Sequence, residues 1–104
     1  MRIISEKRLR EFSEGANGID EKSRREKAMG AWITVVKRAE WANFVDVRKT
    51  FNHVDVYKDC VIFDVGGNKY RIIAKIATGI KAVFIRAVLT HAEYDENRWK
   101  GDCK

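Results

Sequence analysis

From Cys60 onward the chain takes on a rhythm that leaves few folds open to it. Cys60-Val61-Ile62-Phe63-Asp64-Val65, Tyr70-Arg71-Ile72-Ile73-Ala74-Lys75-Ile76 and Ala82-Val83-Phe84-Ile85-Arg86-Ala87-Val88-Leu89 are rich in β-branched and aromatic residues. Gly66-Gly67-Asn68 parts the first two, and Thr78-Gly79 lies between the second and third. Segments of this kind, broken at hairpin distance by Gly and Asn, predict three consecutive antiparallel strands. Such a sheet has an apolar face to cover, so the residues before it must supply a layer.

They supply helices. Arg2-Ile3-Ile4 reads as a short opening strand. Ser5 is placed to N-cap a first helix, with Ile4 and Leu9 at the spacing of a hydrophobic staple, Leu9 and Phe12 on its apolar face and Gly15 as its stop. After the Asn17-Gly18 turn, Asp20 is placed to cap a longer helix. Its Met29, Trp32, Ile33 and Val36 follow the i, i+3, i+4, i+7 template of a core stripe. Trp41 to Val45 ends the helical region, and Asp46 to Phe51 is a short irregular or helical piece. Thr90 and Glu93 have the spacing of a capping box, which starts a C-terminal helix directly after the last strand, running through Asp95 and Trp99. The polar end, Gly101 to Lys104, is expected to fray. The expectation is an α+β fold in a single domain spanning residues 1–104: a short N-terminal strand and two helices packed on an antiparallel sheet, and a short C-terminal helix.

A chain of 104 residues with 45% hydrophobic and 11% aromatic content can build a modest core, and 35% charged residues keep it water-soluble. The opening Met1-Arg2-Ile3-Ile4-Ser5-Glu6-Lys7 turns charged too soon for a signal-peptide core, and no apolar run approaches the ~20 residues of a spanning helix. A cytoplasmic location with no membrane partner is therefore expected, with Cys60 and Cys103 as reduced thiols. His53, Asp55 and Asp59 lack a recognised metal spacing, Cys60 lies in a strand, and Gly66-Gly67 sits between strands rather than before a helix. No metal, cofactor or thiol nucleophile is expected.

The net charge of +6 favours a polyanionic or acidic partner. Between Asp64 and Glu93 lie Lys69, Arg71, Lys75, Lys81 and Arg86 with no acid among them. Period two puts Tyr70, Ile72, Ala74 and Ile76 on one face and Arg71, Ile73 and Lys75 on the other. In the last strand Val83, Ile85, Ala87 and Leu89 oppose Phe84, Arg86 and Val88. If the apolar sets share the helix-covered face, Arg71, Lys75 and Arg86 share an open one. Three cations beside Ile73 and Phe84 suit nucleic acid, phosphates on the cations and bases on the apolar groups, although a solvated face has the same composition. The longer helix carries Lys22, Arg24, Arg25, Lys27, Lys37 and Arg38 opposite its stripe. Such charge is ordinarily a solvated face; in an RNA-binding domain Lys69, Lys75, Arg24, Arg25, Lys37 and Arg38 are the candidate contacts.

His91 opens the last helix, where unpaired N–H groups favour a neutral, proton-accepting imidazole, and Tyr94 and Asp95 follow at three and four residues. RNA can be cut without a metal by its own 2′-OH. That reaction needs a base, cations for the phosphorane and an acid for the 5′-oxygen. Arg71, Arg86, His91 and Tyr94 are the candidate catalytic residues.

Phe63-Asp64-Val65-Gly66-Gly67-Asn68-Lys69-Tyr70-Arg71-Ile72-Ile73-Ala74, Val83-Phe84-Ile85-Arg86 and Thr90-His91-Ala92-Glu93-Tyr94-Asp95 resemble the HigB toxins of bacterial type II toxin–antitoxin systems, and the opening Arg2-Ile3-Ile4-Ser5 and the Trp32 helix fit as well. The resemblance implies a RelE/ParE-like fold, cleavage of mRNA, typically on the translating ribosome, and silencing by a helix-turn-helix antitoxin of the HigA type. It implies that Arg71, Lys75, Arg86, His91 and Tyr94 hold the family's basic and acid/base positions. ParE relatives use the same fold to poison gyrase, so a non-catalytic basic module that inhibits a protein or binds RNA is the alternative.

Overall fold

The computed structural model describes every residue, Met1–Lys104. Strand β1 (Arg2–Ile4) leads into helices α1 (Lys7–Glu14), α2 (Ile19–Arg38) and α3 (Phe44–Thr50). Strands β2 (Asp55–Tyr57), β3 (Cys60–Val65), β4 (Tyr70–Ala77) and β5 (Ala82–Thr90) follow, then α4 (His91–Asp95) and a 3₁₀ turn, Arg98–Asp102. The five strands form one sheet in the order β1-β5-β4-β3-β2. The expected meander is its centre, with β3, β4 and β5 paired antiparallel. β1 adds a parallel edge beside β5, and β2 closes the other edge as a three-residue strand too short to show in the sequence rhythm.

Local chemistry explains most element ends. The β3–β4 turn places Gly66, Gly67 and Asn68 at positive φ, as its composition requires. A Cβ on Gly66 would meet the Tyr70 ring at 2.7 Å. Helix α2 begins at Ile19, so Asp20 sits inside its first turn with Glu21, while Lys37 and Arg38 fill its last turn; both pairs complement the helix dipole. Ser5 does not cap α1. Its backbone is left-handed at φ 71°, and its carbonyl accepts the Arg8 N–H at 3.0 Å, so the tight turn out of β1 takes the place of the cap.

One face of the sheet carries the main core, as expected. Met29, Trp32 and Val36 of α2 and Leu9 of α1 pack with Phe63, Ile72, Ala74, Val83 and Ile85. Phe63 is its aromatic hub, with Trp32, Trp41 and Phe51 ring centroids at 5.3, 6.3 and 5.2 Å.

The other face is not open. A second cluster of Cys60, Ile62 and Ile73 is covered by Trp99 and Cys103, with Tyr57, Ala87, Leu89 and Tyr94 packed around it. Strict alternation misassigned part of β5. Its register against β4 shifts between Ile73, which faces Ala87, and Ala74, which faces Ile85. Arg86 is left as the extra residue of a bulge, and beyond it the sides exchange: Val88 packs on the main core, and Ala87 and Leu89 on the second cluster.

Candidate active site

The β3–β4 turn and the capped start of α4 build one corner of this second face. Thr90 Oγ1 accepts the Glu93 N–H at 3.2 Å while Glu93 Oε1 accepts the Thr90 N–H at 2.9 Å. The His91 N–H reaches across to the Lys69 carbonyl at 3.0 Å, tying the glycine turn to the helix. His91 Nδ1 lies 3.0 Å from Asp95 Oδ2, both side chains more than half exposed. With Nδ1–H donated to the carboxylate, Nε2 is the nitrogen that carries the lone pair of the neutral ring.

Arg71 occupies this corner as a pinned group rather than a free surface cation. Its Nε pairs with Asp64 Oδ1 at 2.5 Å. Its Nη1 donates to the Asn68 and Tyr70 carbonyls at 2.9 and 3.2 Å. The residue is only 9% exposed. Its guanidinium lies 5.0 Å from the centroid of the Tyr94 ring. The expectation that Arg71 stands on an open face is corrected: Asp64 faces Arg71 across β3–β4 and would lose its counter-ion if Arg71 were truncated.

Tyr94 is stacked on Trp99, centroids 5.2 Å apart and planes 10° apart. The Trp99 indole N–H donates to the Tyr94 carbonyl at 3.0 Å. Burial is the main influence pushing the Tyr94 phenol above its ordinary 10, with Asp55 adding to it and Arg71 opposing. At neutral pH this side chain holds its proton, which suits a donor rather than a base.

Lys75 and Arg86 lie at the other end of the face, under the C-terminal segment. Arg86 makes a forked pair with Asp102, Nε to Oδ2 at 2.6 Å and Nη2 to Oδ1 at 2.8 Å. Lys75 Nζ donates to the Asp102 carbonyl at 2.9 Å and pairs with Asp59 at 3.3 Å. Asp59 also accepts the Lys104 N–H at 2.8 Å. Four strand residues lie between Arg86 and His91, which sets the two roughly 15 Å apart at about 3.3 Å per residue. The sequence placed both on one face; the structure does not bring them to one phosphate.

Two expectations about the C-terminus are overturned. Gly101 to Lys104 does not fray, because Trp99 and Cys103 fill the second cluster. Cys60 and Cys103 are not free thiols: they form a disulfide, with Cα atoms 5.6 Å apart. Together with Asp59 these cysteines bring three metal-ligand atoms within 4.8 Å, but the sulfurs are bonded to each other and Asp59 is engaged by Lys75 and Lys104. Sequence reasoning missed Asp59, Asp64, Trp99 and Asp102. The available signal was an apolar Trp99 and a second cysteine in an otherwise polar tail, hard to place without the register.

The α2 cations belong to the opposite layer. Arg25 is held by Glu21 at 2.9 Å, donates to the Phe12 carbonyl at 2.8 Å and lies 4.1 Å from the Phe12 ring centroid, so it is a packing residue. Arg24 pairs with Glu21 at 3.3 Å and, with Lys27 and Lys69, rims an apolar groove of about 480 Å³ floored by Trp32, Val35 and Phe51. Lys37 pairs with Glu6, and it lies with Arg38 at the far end of α2, near Met1 and Lys81. No helix of the structure is long and apolar enough to cross a membrane.

Residues 25–97 match the family model described as HigB toxin, the RelE-like toxic component of a toxin–antitoxin system. The mRNA interferase HigB of Escherichia coli O6:H1 is 32% identical over 72 residues, which cover 66% of this chain and 70% of that relative. The matched span includes the glycine turn, Arg71, the β5 bulge and the capped α4, so the corner described above is built from family sequence. The chain therefore belongs to the HigB toxins, the RelE-like toxic components of toxin–antitoxin systems.

Proposed function

We propose that this chain is an endoribonuclease that cuts mRNA during translation, using the 2′-OH of the scissile nucleotide as nucleophile, and that a HigA-type helix-turn-helix antitoxin silences it. The observation that carries the reading is the corner itself: Arg71 beneath Tyr94, with His91 tied to the turn that holds Arg71. The name of the E. coli relative supports the same substrate class.

In this reading the scissile phosphate binds at the α4 end. His91, oriented by Asp95, takes the 2′-OH proton at Nε2, and Tyr94, whose phenol keeps its proton, delivers one to the 5′-oxygen. Arg71 Nη2 has no protein acceptor and is directed to the phosphorane. Lys75 and Arg86, roughly 15 Å along the strand, contact neighbouring phosphates and set register rather than chemistry. Lys69 and Arg24 extend the positive field around the turn.

The test is to induce the chain in cells and map new 5′ ends on mRNA. Cleavage inside translated frames supports the reading. Growth arrest with intact transcripts and damaged DNA contradicts it and favours inhibition of a protein such as gyrase.

A further inference from the structure

The geometry points to Cys60 and Cys103 as a thiol–disulfide switch: oxidised, it locks the C-terminal strap, residues 97–104, over the RNA-contacting face, and reduction releases the end that carries Asp102. The inference rests on the proposed reading of that face.

Three features of the strap converge. Asp102 supplies both carboxylate oxygens to Arg86, which it neutralises, and its carbonyl to Lys75, whose charge is paired by Asp59 outside the strap, so both cations assigned to neighbouring phosphates are engaged within the chain. Trp99 stacks on Tyr94 and covers the proton donor. Cys103, next in sequence to Asp102, is bonded to Cys60 in β3, the strand beside β4, which carries Lys75. While that bond is intact the backbone at Asp102 stays on the sheet, because its neighbour is fixed there, and the carboxylate remains beside Arg86.

Without the bond, the tie on Arg86 is an ion pair whose side chains are 42% and 41% exposed. Pairs that open to solvent hold weakly, and a polyanion presenting several phosphates competes with one carboxylate for the same guanidinium. Trp99 stays packed in the second cluster, so the covalent bond decides whether RNA displaces the end of the strap that carries Asp102.

The chemistry is a two-electron exchange. A dithiol reductant attacks one sulfur as its thiolate, the other cysteine leaves as a thiolate and takes a proton, and the second thiol of the reductant resolves the mixed disulfide. The protein ends with two thiols, and the reductant ends as its own disulfide. A reducing compartment thus exposes the face, and an oxidising one closes it.

The test uses the full-length chain, prepared as disulfide or dithiol and verified by thiol titration, and a fluorescent single-stranded 2′-deoxy oligonucleotide that cannot be cut through a 2′-OH. Reduction with dithiothreitol should tighten binding about 10-fold and steepen its salt dependence, because the Arg86 guanidinium becomes available to a phosphate and Lys75 loses the carbonyl that occupies it. Cys103→Ser should bind like the dithiol form and ignore dithiothreitol. If Cys103→Ser does not fold, Asp102→Asn decides: in the disulfide form it should recover part of the gain, since it frees Arg86 without touching the disulfide. Equal affinity and salt slope for the two redox forms overturn the switch, as does an Asp102→Asn variant that binds no better than the unmodified disulfide form. All-ribose RNA, supplied as translated message where cleavage requires ribosomes, separates the two readings. Binding that responds to dithiothreitol with no cleavage in either form keeps the switch and removes the nuclease, whereas cleavage and binding indifferent to dithiothreitol keep the nuclease and remove the switch.

Discussion

Asp102 holds Arg86 through both carboxylate oxygens, at 2.6 and 2.8 Å. The fork lowers the Asp102 carboxyl below its ordinary 3.8, and its hydrogen bond raises the Arg86 guanidinium further above its ordinary value. Both side chains are open to water, so the pair masks a cation more than it stabilises the fold.

In the reduced protein Arg86→Ala is therefore expected to fold normally and to lose RNA affinity evenly across sequences. One phosphate contact fewer should flatten the log–log salt slope by about 0.7, with KM rising more than kcat falls. Binding titrations at several salt concentrations read the slope directly. An unchanged slope places Arg86 off the RNA path.

Arg71 should behave differently. Arg71→Ala strands Asp64 and removes the cation beneath Tyr94, at an expected cost of about 2 kcal/mol or more in unfolding free energy. Denaturant titration checks it. Stability within a few tenths of a kcal/mol of the parent would show Arg71 to be the free surface cation that the sequence alone suggested.

Glu21 joins α2 to the sheet. It pairs with Arg25 at 2.9 Å and accepts the Tyr70 hydroxyl at 2.7 Å. Hydrogen bonds from Arg25 first, and then from Tyr70, hold its carboxyl at about 2 instead of 4.5, while burial and Glu21 push the Tyr70 phenol upward. The folded Glu21 value lies below the unfolded one. Its contribution is thus complete above about pH 4.5 and disappears as pH falls toward 2. The Tyr70 contribution, from a raised value, is present below about pH 10 and lost above it. The stability gap between the parent and Glu21→Gln should be constant near neutrality and close in acid; a gap that persists unchanged at pH 2 contradicts the linkage.

The glycine turn offers an internal control. Gly66 and Gly67 share a φ of +63°, but only at Gly66 would a Cβ strike Tyr70. Gly67→Ala should cost about 1 kcal/mol through backbone strain, and Gly66→Ala clearly more, because the ring that bonds Glu21 must move. Equal costs would mean that the Tyr70 contact relaxes freely.

Elements whose signals are local were legible in the sequence: the α2 stripe, the glycine hairpin, and the capping box at Thr90 and Glu93, whose two hydrogen bonds close within four residues. What depends on register was not. A single bulged residue at Arg86 exchanges the sides of Ala87, Val88 and Leu89, and strict alternation carries no sign of it. Local signals leave Gly101 to Lys104 as a fraying end, because Trp99 and Cys103 find their partners in β3 and β4, remote in sequence. The strap brings Asp102 to Arg86, while Asp64 and Asp59 pair Arg71 and Lys75 from β3 and the turn before it, so three bare cations become three paired ones. These contacts also separate the candidate site into a corner at His91 and a masked stretch at Arg86.

The most direct measurement is a single-turnover assay with the reduced protein on two RNAs that differ by one atom, the 2′-oxygen of the scissile nucleotide, added as translated message where ribosomes are required. The all-ribose RNA should be cut to a 2′,3′-cyclic phosphate or its 3′-phosphate product, with His91→Gln slower by roughly 10²–10⁴-fold and one limb of its pH–rate profile flattened. The 2′-deoxy RNA should bind and remain intact. Cleavage of the 2′-deoxy RNA at the all-ribose rate would mean that another nucleophile attacks the phosphorus, and would contradict the roles given to His91 and Tyr94.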